Sequence, residues 1–97
     1  MFEELKIEKF KDIGIIEDTL CFKSFVENDT DKEISLSACF EPYKDSAWYQ
    51  INIGEYSGGQ YKDLEEHRFY SLKKAIKWWN DFFIKIEGDI SNDSQKS

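Results

Sequence analysis

Residues 20–40 read LCFKSFVENDTDKEISLSACF, and how this stretch folds on itself decides the architecture. Leu20, Phe22 and Val26 alternate with Cys21, Lys23 and Phe25, while Ile34, Leu36, Ala38 and Phe40 alternate with Ser35, Ser37, Cys39 and Glu41. A period of two is strand periodicity, because successive side chains leave a strand on opposite faces. The polar cluster Asn28–Lys32 between the two runs is a turn signal. Folding the hairpin about Thr30 sets Phe22 opposite Ala38, Leu20 opposite Phe40 and Val26 opposite Ile34, all on one face. Cys21 and Cys39 then oppose each other on the other face. A slip of one residue would move every side chain to the wrong face, so this register is a definite expectation.

The hairpin extends in both directions. After a turn near Pro42–Ser46, Tyr49, Ile51 and Ile53 alternate with Trp48, Gln50 and Asn52, giving a third strand. Ser57-Gly58-Gly59-Gln60 is a tight turn, since paired glycines accept positive φ without steric cost. A fourth strand is expected between Tyr61 and Tyr70, with a bulge near Glu65-Glu66, because Leu64 and Phe69 cannot otherwise share a face. Ser71 then caps a helix whose stripe is Leu72, Ala75, Ile76, Trp79, Phe83 and Ile86, ended by Gly88. The fold class is therefore α+β: a four-stranded antiparallel β-meander with a C-terminal helix packed on one face. Residues 1–87 form a single domain and 88–97 a disordered polar tail. Residues 1–18 show neither a clean 3.6 nor a clean 2.0 period, and their structure is left open.

Ninety-seven residues leave room for one core, and aromatics at 16% must supply much of it. The start is charged and has no apolar run, so neither a signal peptide nor a membrane span is expected. The two cysteines fit no metal-ligand spacing, and with one histidine and no secretion signal a reducing cytoplasm is the default compartment. The net charge of −7 repels phosphate backbones. Residues 71–86 carry +3 of local charge, leaving −10 on the rest.

Signals for chemistry are weak. His67 stands among Asp63, Glu65, Glu66 and Arg68, a general-base arrangement in outline. With no nucleophile nearby it reads better as an ordinary strand histidine, so no catalytic residue is assigned. Asn28, Asp29, Asp31 and Glu33 resemble a calcium loop only superficially, and a turn explains them. No metal ligand and no cofactor is assigned. Trp78, off the helix stripe between Lys74 and Lys85, could stack a base, although such lysines more often cover a half-buried indole.

The sheet face away from the helix is the most informative surface. Phe25, Trp48, Tyr56 and Tyr61 are expected there, interleaved with Gln50 and Asn52 and bordered by Asp63 and Glu65. Large aromatics amid uncharged polar groups are the composition of a recognition face. The competing expectation is that residues 1–18 fold over this face as a second core. The reading is thus a non-enzymatic acidic module that binds a protein partner, a basic one by charge. By size and charge it is of the inhibitor, immunity or anti-defence type found in phage and mobile elements, acting on a nucleic-acid-handling enzyme. The alternatives are a small enzyme or ligand-binding domain with no visible site, and a structural protein that self-associates through the aromatic face. The chain is expected to be a monomer or homodimer, without membrane and with nucleic acid an unfavoured partner.

Overall fold

The computed structural model describes residues 4–96, with side chains described through Glu87. A short 3₁₀ turn at Ile7–Phe10 precedes β1 (Ile16–Glu27), β2 (Thr30–Glu41), β3 (Ser46–Ser57), β4 (Gln60–Phe69) and α1 (Leu72–Lys96). The strands form one antiparallel sheet in the order β1-β2-β3-β4, and α1 lies over β3 and β4 on one side. The architecture is the expected α+β meander with a helix on one face.

The three turns are set by local chemistry. Gly58 and Gly59 have φ of +60° and +80°, so the β3–β4 connection is the two-residue turn that their lack of Cβ permits. Asn28 and Asp29 do the same at φ of +53° and +61°. Their short polar side chains tolerate the left-handed region, which makes a two-residue primed turn with Glu27 directly opposite Thr30. At the β2–β3 turn the Asp45 amide donates to the Pro42 carbonyl at 3.0 Å.

That tight first turn overturns the expected hairpin register. Phe22 lies opposite Ser35 and Val26 opposite Asp31, three places from their expected partners, so β1 presents the opposite faces. Phe22 is on the side away from α1, and Phe25 on the helix side. A bulge at Leu20 restores the earlier phase, pairing Ile16 with Phe40 and Glu17 with Cys39. Leu20 therefore has no partner in the ladder, and Cys21 faces Leu36 rather than Cys39. The two cysteines are free and on opposite faces of the sheet.

The core lies between α1 and the sheet. Ile34, Leu36, Ile51, Ile53 and Ala75 are buried together, with Phe25, Tyr49, Phe69, Trp78, Trp79, Phe82 and Phe83 packed around them. Ser71 caps the helix, its hydroxyl accepting from the Lys74 amide at 3.4 Å. The apolar stripe is rotated by about one residue from the expected one. Trp78 belongs to it, parallel to Phe82 at 5.4 Å and against His67 at 4.5 Å between ring centroids. Leu72 and Ile76, expected inside, are exposed. The reason is placement: with the helix over β3 and β4, the side that meets His67 and Phe69 is the side carrying Trp78. The helix also runs past Gly88, which is not its end. The expected polar tail falls on residues whose side chains lie outside the described ones.

The described part of the N-terminal segment does not form a second core. Residues 4–15 are exposed except for half-buried Phe10, and the 3₁₀ turn buries no residue.

This packing reverses the relative weight of the two neighbouring tryptophans that the sequence pattern implies. Trp78→Ala should cost roughly 3–5 kcal/mol, as a large truncation in an aromatic cluster, and at least as much as Trp79→Ala. Urea denaturation of the two variants checks this, and a clearly larger loss for Trp79→Ala would contradict the stacking of Trp78 on β4.

Candidate recognition face

The register fixes which residues the uncovered side of the sheet presents. Because Ile51 and Ile53 point at α1, their neighbours Trp48, Gln50, Asn52, Gly54 and Tyr56 point away from it. Across the strand pairs, the same face carries Phe22, Ser24 and Val26 from β1, Ser35 and Ser37 from β2, and Tyr61 and Asp63 from β4.

Of the eight residues expected on this face, six are there: Trp48, Gln50, Asn52, Tyr56, Tyr61 and Asp63. Phe25 is not, since it packs edge-on against Phe82 and Phe83 at 5.6 and 5.9 Å on the helix side. Glu65 is also on the helix side, opposite Ile53, where its carboxylate lies 3.3 Å from His67 Nε2. Leu64 is the bulged residue of β4, and the resulting change of phase puts Asp63 and Glu65 on different faces. His67 itself is a packing residue, its ring held between Glu65 and Trp78.

Trp48 does lie on the outer side but is only 4% exposed within the single chain, which removes it as a partner anchor. Its indole is held from two directions. Nε1 donates to Gln50 Oε1 at 3.0 Å, and Gln50 Nε2 donates in turn to Asn52 Oδ1 at 3.1 Å. The Arg68 guanidinium sits 4.4 Å from its ring centre, a cation–π contact. Cys39, directly opposite in β2, is small enough to leave the indole room. Burial first, and then the Glu17 carboxylate, push the Cys39 thiol above its ordinary pKa, so it is a poor nucleophile.

The exposed anchors are elsewhere on the face. Phe22 and Val26 are 55% and 57% exposed, and Tyr56 and Tyr61 are 50% and 45% exposed. The two tyrosines are cross-strand partners with ring centroids 5.2 Å apart. Tyr61 is anchored by Gly54: a Cβ at position 54 would collide with the tyrosine ring, so only glycine lets the ring lie over the strand. Burial, together with a hydrogen bond donated to Asp63, pushes the Tyr61 hydroxyl up to about 12. Phe22 and Val26 escaped the sequence reading because it placed them inside. The Asn-Asp dipeptide was the signal that could have found them, as a two-residue turn.

Electrostatically the face is one-sided. Among the described strand residues, Glu17, Asp31, Glu33, Glu41, Asp63 and Glu66 stand on it against one cation, Arg68, with Lys44 of the adjoining turn 3.7 Å from Glu41. Lys73, Lys74 and Lys77 project from α1 on the other side of the molecule, and Lys77 pairs with Asp81 at 2.7 Å. The protein is therefore dipolar across its thickness.

One other feature is chemically spare. A cleft of about 370 Å³ near the start of β1 is lined by Ile16, Ala38, Phe40, Ala47, Tyr49 and Tyr70, with Asp18 the one charged group. Among the described residues no three His, Cys, Asp or Glu side chains converge on a common metal position. No helix among them is long and apolar enough to cross a membrane.

The Gly54–Tyr61 contact is testable by titration. In wild type, the tyrosine absorbance change that Tyr61→Phe removes should occur near pH 12. Gly54→Ala should expel the ring to solvent and return that titration toward 10. Since the raised value favours the neutral hydroxyl in the folded state, the stabilisation it confers is present below pH 10 and lost as pH rises toward 12. A Tyr61 titration unchanged by Gly54→Ala would contradict the contact.

No family model, curated protein or solved structure matches the chain.

Proposed function

We infer that the protein is a non-enzymatic binding module whose uncovered sheet face receives a basic surface of a protein partner. The observation that carries this reading is the composition of that face: exposed Phe22, Val26, Tyr56 and Tyr61 set among six carboxylates and one guanidinium. Rigid aromatics supply contact area at low entropic cost, while the surrounding charge steers a cationic partner and sets its orientation. The lysines of α1, on the far side, sharpen that orientation. A partner that handles nucleic acid has the required basic patch, so the module fits the inhibitor, immunity or anti-defence type, blocking such an enzyme by occupying its phosphate-binding surface. Nucleic acid itself is disfavoured by the same carboxylates. Two free thiols suit a reducing cytoplasm.

Self-association face to face is disfavoured, because it would set six carboxylates against six. The cleft at Ile16, Phe40 and Tyr70, with Asp18 its one charged group, offers little to orient a small substrate.

The test compares immobilised wild type with Glu33→Lys/Glu66→Lys and with Tyr61→Ala in host lysate at low and high salt. Wild type should retain a basic protein at about 50 mM salt and lose it progressively as the Debye length shrinks. The charge-reversed variant should not retain it. Tyr61→Ala should weaken binding of that protein by about 2 kcal/mol while α1 and the core stay folded. Equal retention by all three proteins would sink the proposal.

A further inference from the structure

β1 and β4 are the two edges of the sheet, and the sequence treats them differently. β4 carries Lys62, Asp63, Glu65, Glu66 and Arg68 within ten residues, and a bulge at Leu64. Charges and bulges are the devices by which natural sheets refuse a further strand. β1 has a bulge at Leu20, but the regular run that follows, Cys21–Glu27, is scarcely protected. Its one internal charge is Lys23, whose ammonium lies 4.3 Å from the centre of the Phe83 ring on the helix side. This run carries Phe22, Phe25 and Val26, has no net charge and contains neither proline nor glycine, the signature of a segment that accepts another strand. α1 lies mainly over β3 and β4, and its Phe82 and Phe83 meet β1 on the helix side, at Phe25 and Lys23.

The Asn28–Asp29 turn shows which backbone groups are free. In a two-residue primed turn the flanking pair, Glu27 and Thr30, exchanges both ladder hydrogen bonds, and bonded and non-bonded pairs then alternate. Phe25, Lys23 and Cys21 therefore bond to β2. Val26, Ser24 and Phe22 aim their N–H and C=O groups at the open edge.

We propose that Cys21–Glu27 is a self-pairing edge: two copies of this chain join β1 to β1, antiparallel, about a dyad through Ser24, giving one eight-stranded sheet. Sheet continuity requires facing residues to share a face, so the dyad passes through a residue position. A dyad at Lys23 would set two ammonium groups opposite each other. A dyad at Phe22 runs Ser24 against the bulged Leu20, and one at Val26 runs into the turn. Ser24 is the midpoint of the regular run between bulge and turn, and its amide faces outward. About it, Phe22 meets Val26 on the outer face, Lys23 meets Phe25 on the helix side, and Cys21 meets Glu27. No like charges oppose each other within the run.

The dyad is perpendicular to the sheet, so both helices stay on one side and the two acidic faces join on the other. Those faces repel, which makes the dimer tighten as salt is raised. A contact of one strand from each copy lies at the small end of interfaces, so the dimer is weak and its dissociation constant is on the order of micromolar. This salt response is opposite to that expected for a basic partner, so the two readings fail separately.

Sedimentation velocity of the full chain between about 1 and 500 μM, a range bracketing such an affinity, is the direct test. Wild type should pass from monomer to dimer, more readily at high salt. Ser24→Lys and Ser24→Glu should each weaken the dimer at least about tenfold, with unchanged circular dichroism. Mixed together, they should recover association, because the dyad sets the lysine of one against the glutamate of the other. Val26→Lys, at a solvent-exposed position opposite Phe22, guards against a folding defect at position 24 and should weaken the dimer similarly. Tyr61→Ala should leave it intact. The proposal is overturned by a monomer throughout the range, by variants that dimerise like wild type, or by a mixture that associates no better than its components.

Discussion

A four-stranded sheet has two faces, and within the described residues one helix is available to cover them. That constraint governs the rest of the molecule. The helix side can be apolar because Ala75, Trp78, Trp79, Phe82, Phe83 and Ile86 close over Ile34, Leu36, Ile51 and Ile53. The other side must remain soluble with nothing over it. The chain solves this with small and polar side chains along β2 and β3, with carboxylates at the margins, and with one indole sealed by its own neighbours.

The sealing of Trp48 separates stability from recognition on a single surface. An indole on an open sheet would ordinarily be the first residue to suspect as a binding anchor. Here the Gln50–Asn52 amide chain satisfies its N–H and Arg68 covers its ring, so it rigidifies the face without contacting a partner. The groups left accessible lie along the two edge strands and the β3–β4 turn: Phe22 and Val26 on β1, Tyr61 on β4, and Tyr56 beside it on β3. A partner that engaged the face would therefore meet a firm floor with aromatic margins and a negative field.

Gly54 and Leu64 together shape one margin. The bulge at Leu64 changes the phase of β4, sending Asp63 to the outer face and Glu65 to the helix side. Without it, Tyr61 and Asp63, two apart on the strand, would turn together to the side that Glu65 occupies. The absent Cβ at Gly54 gives the same ring its resting place. A bulge and a glycine in mid-strand would each weaken an ordinary sheet. Here they orient one tyrosine.

Much of the fold was legible in the residues alone. Strand alternation at Ile34–Phe40 and Tyr49–Ile53, the Gly58-Gly59 turn, and the Ser71 cap all express local rules, so they determined the meander and its helix. The outer placement of Gln50, Asn52, Tyr56 and Tyr61 followed from the same alternation. The β1 register did not. It hinged on whether Asn28–Lys32 made a long polar loop or Asn28–Asp29 a two-residue turn, and both satisfy a period-two pattern while differing by three places in pairing. An odd displacement exchanges the faces, which is why Phe22 and Phe25 traded sides. Nor could periodicity place Trp78, because a helix is free to roll by one residue until it meets a sheet. Its roll was decided by the aromatic contacts of His67 and Phe69, residues brought there by β4. The burial of Trp48 has the same origin: it depends on Arg68, on the next strand and beyond the β3–β4 turn, and only the folded sheet brings the guanidinium over the ring.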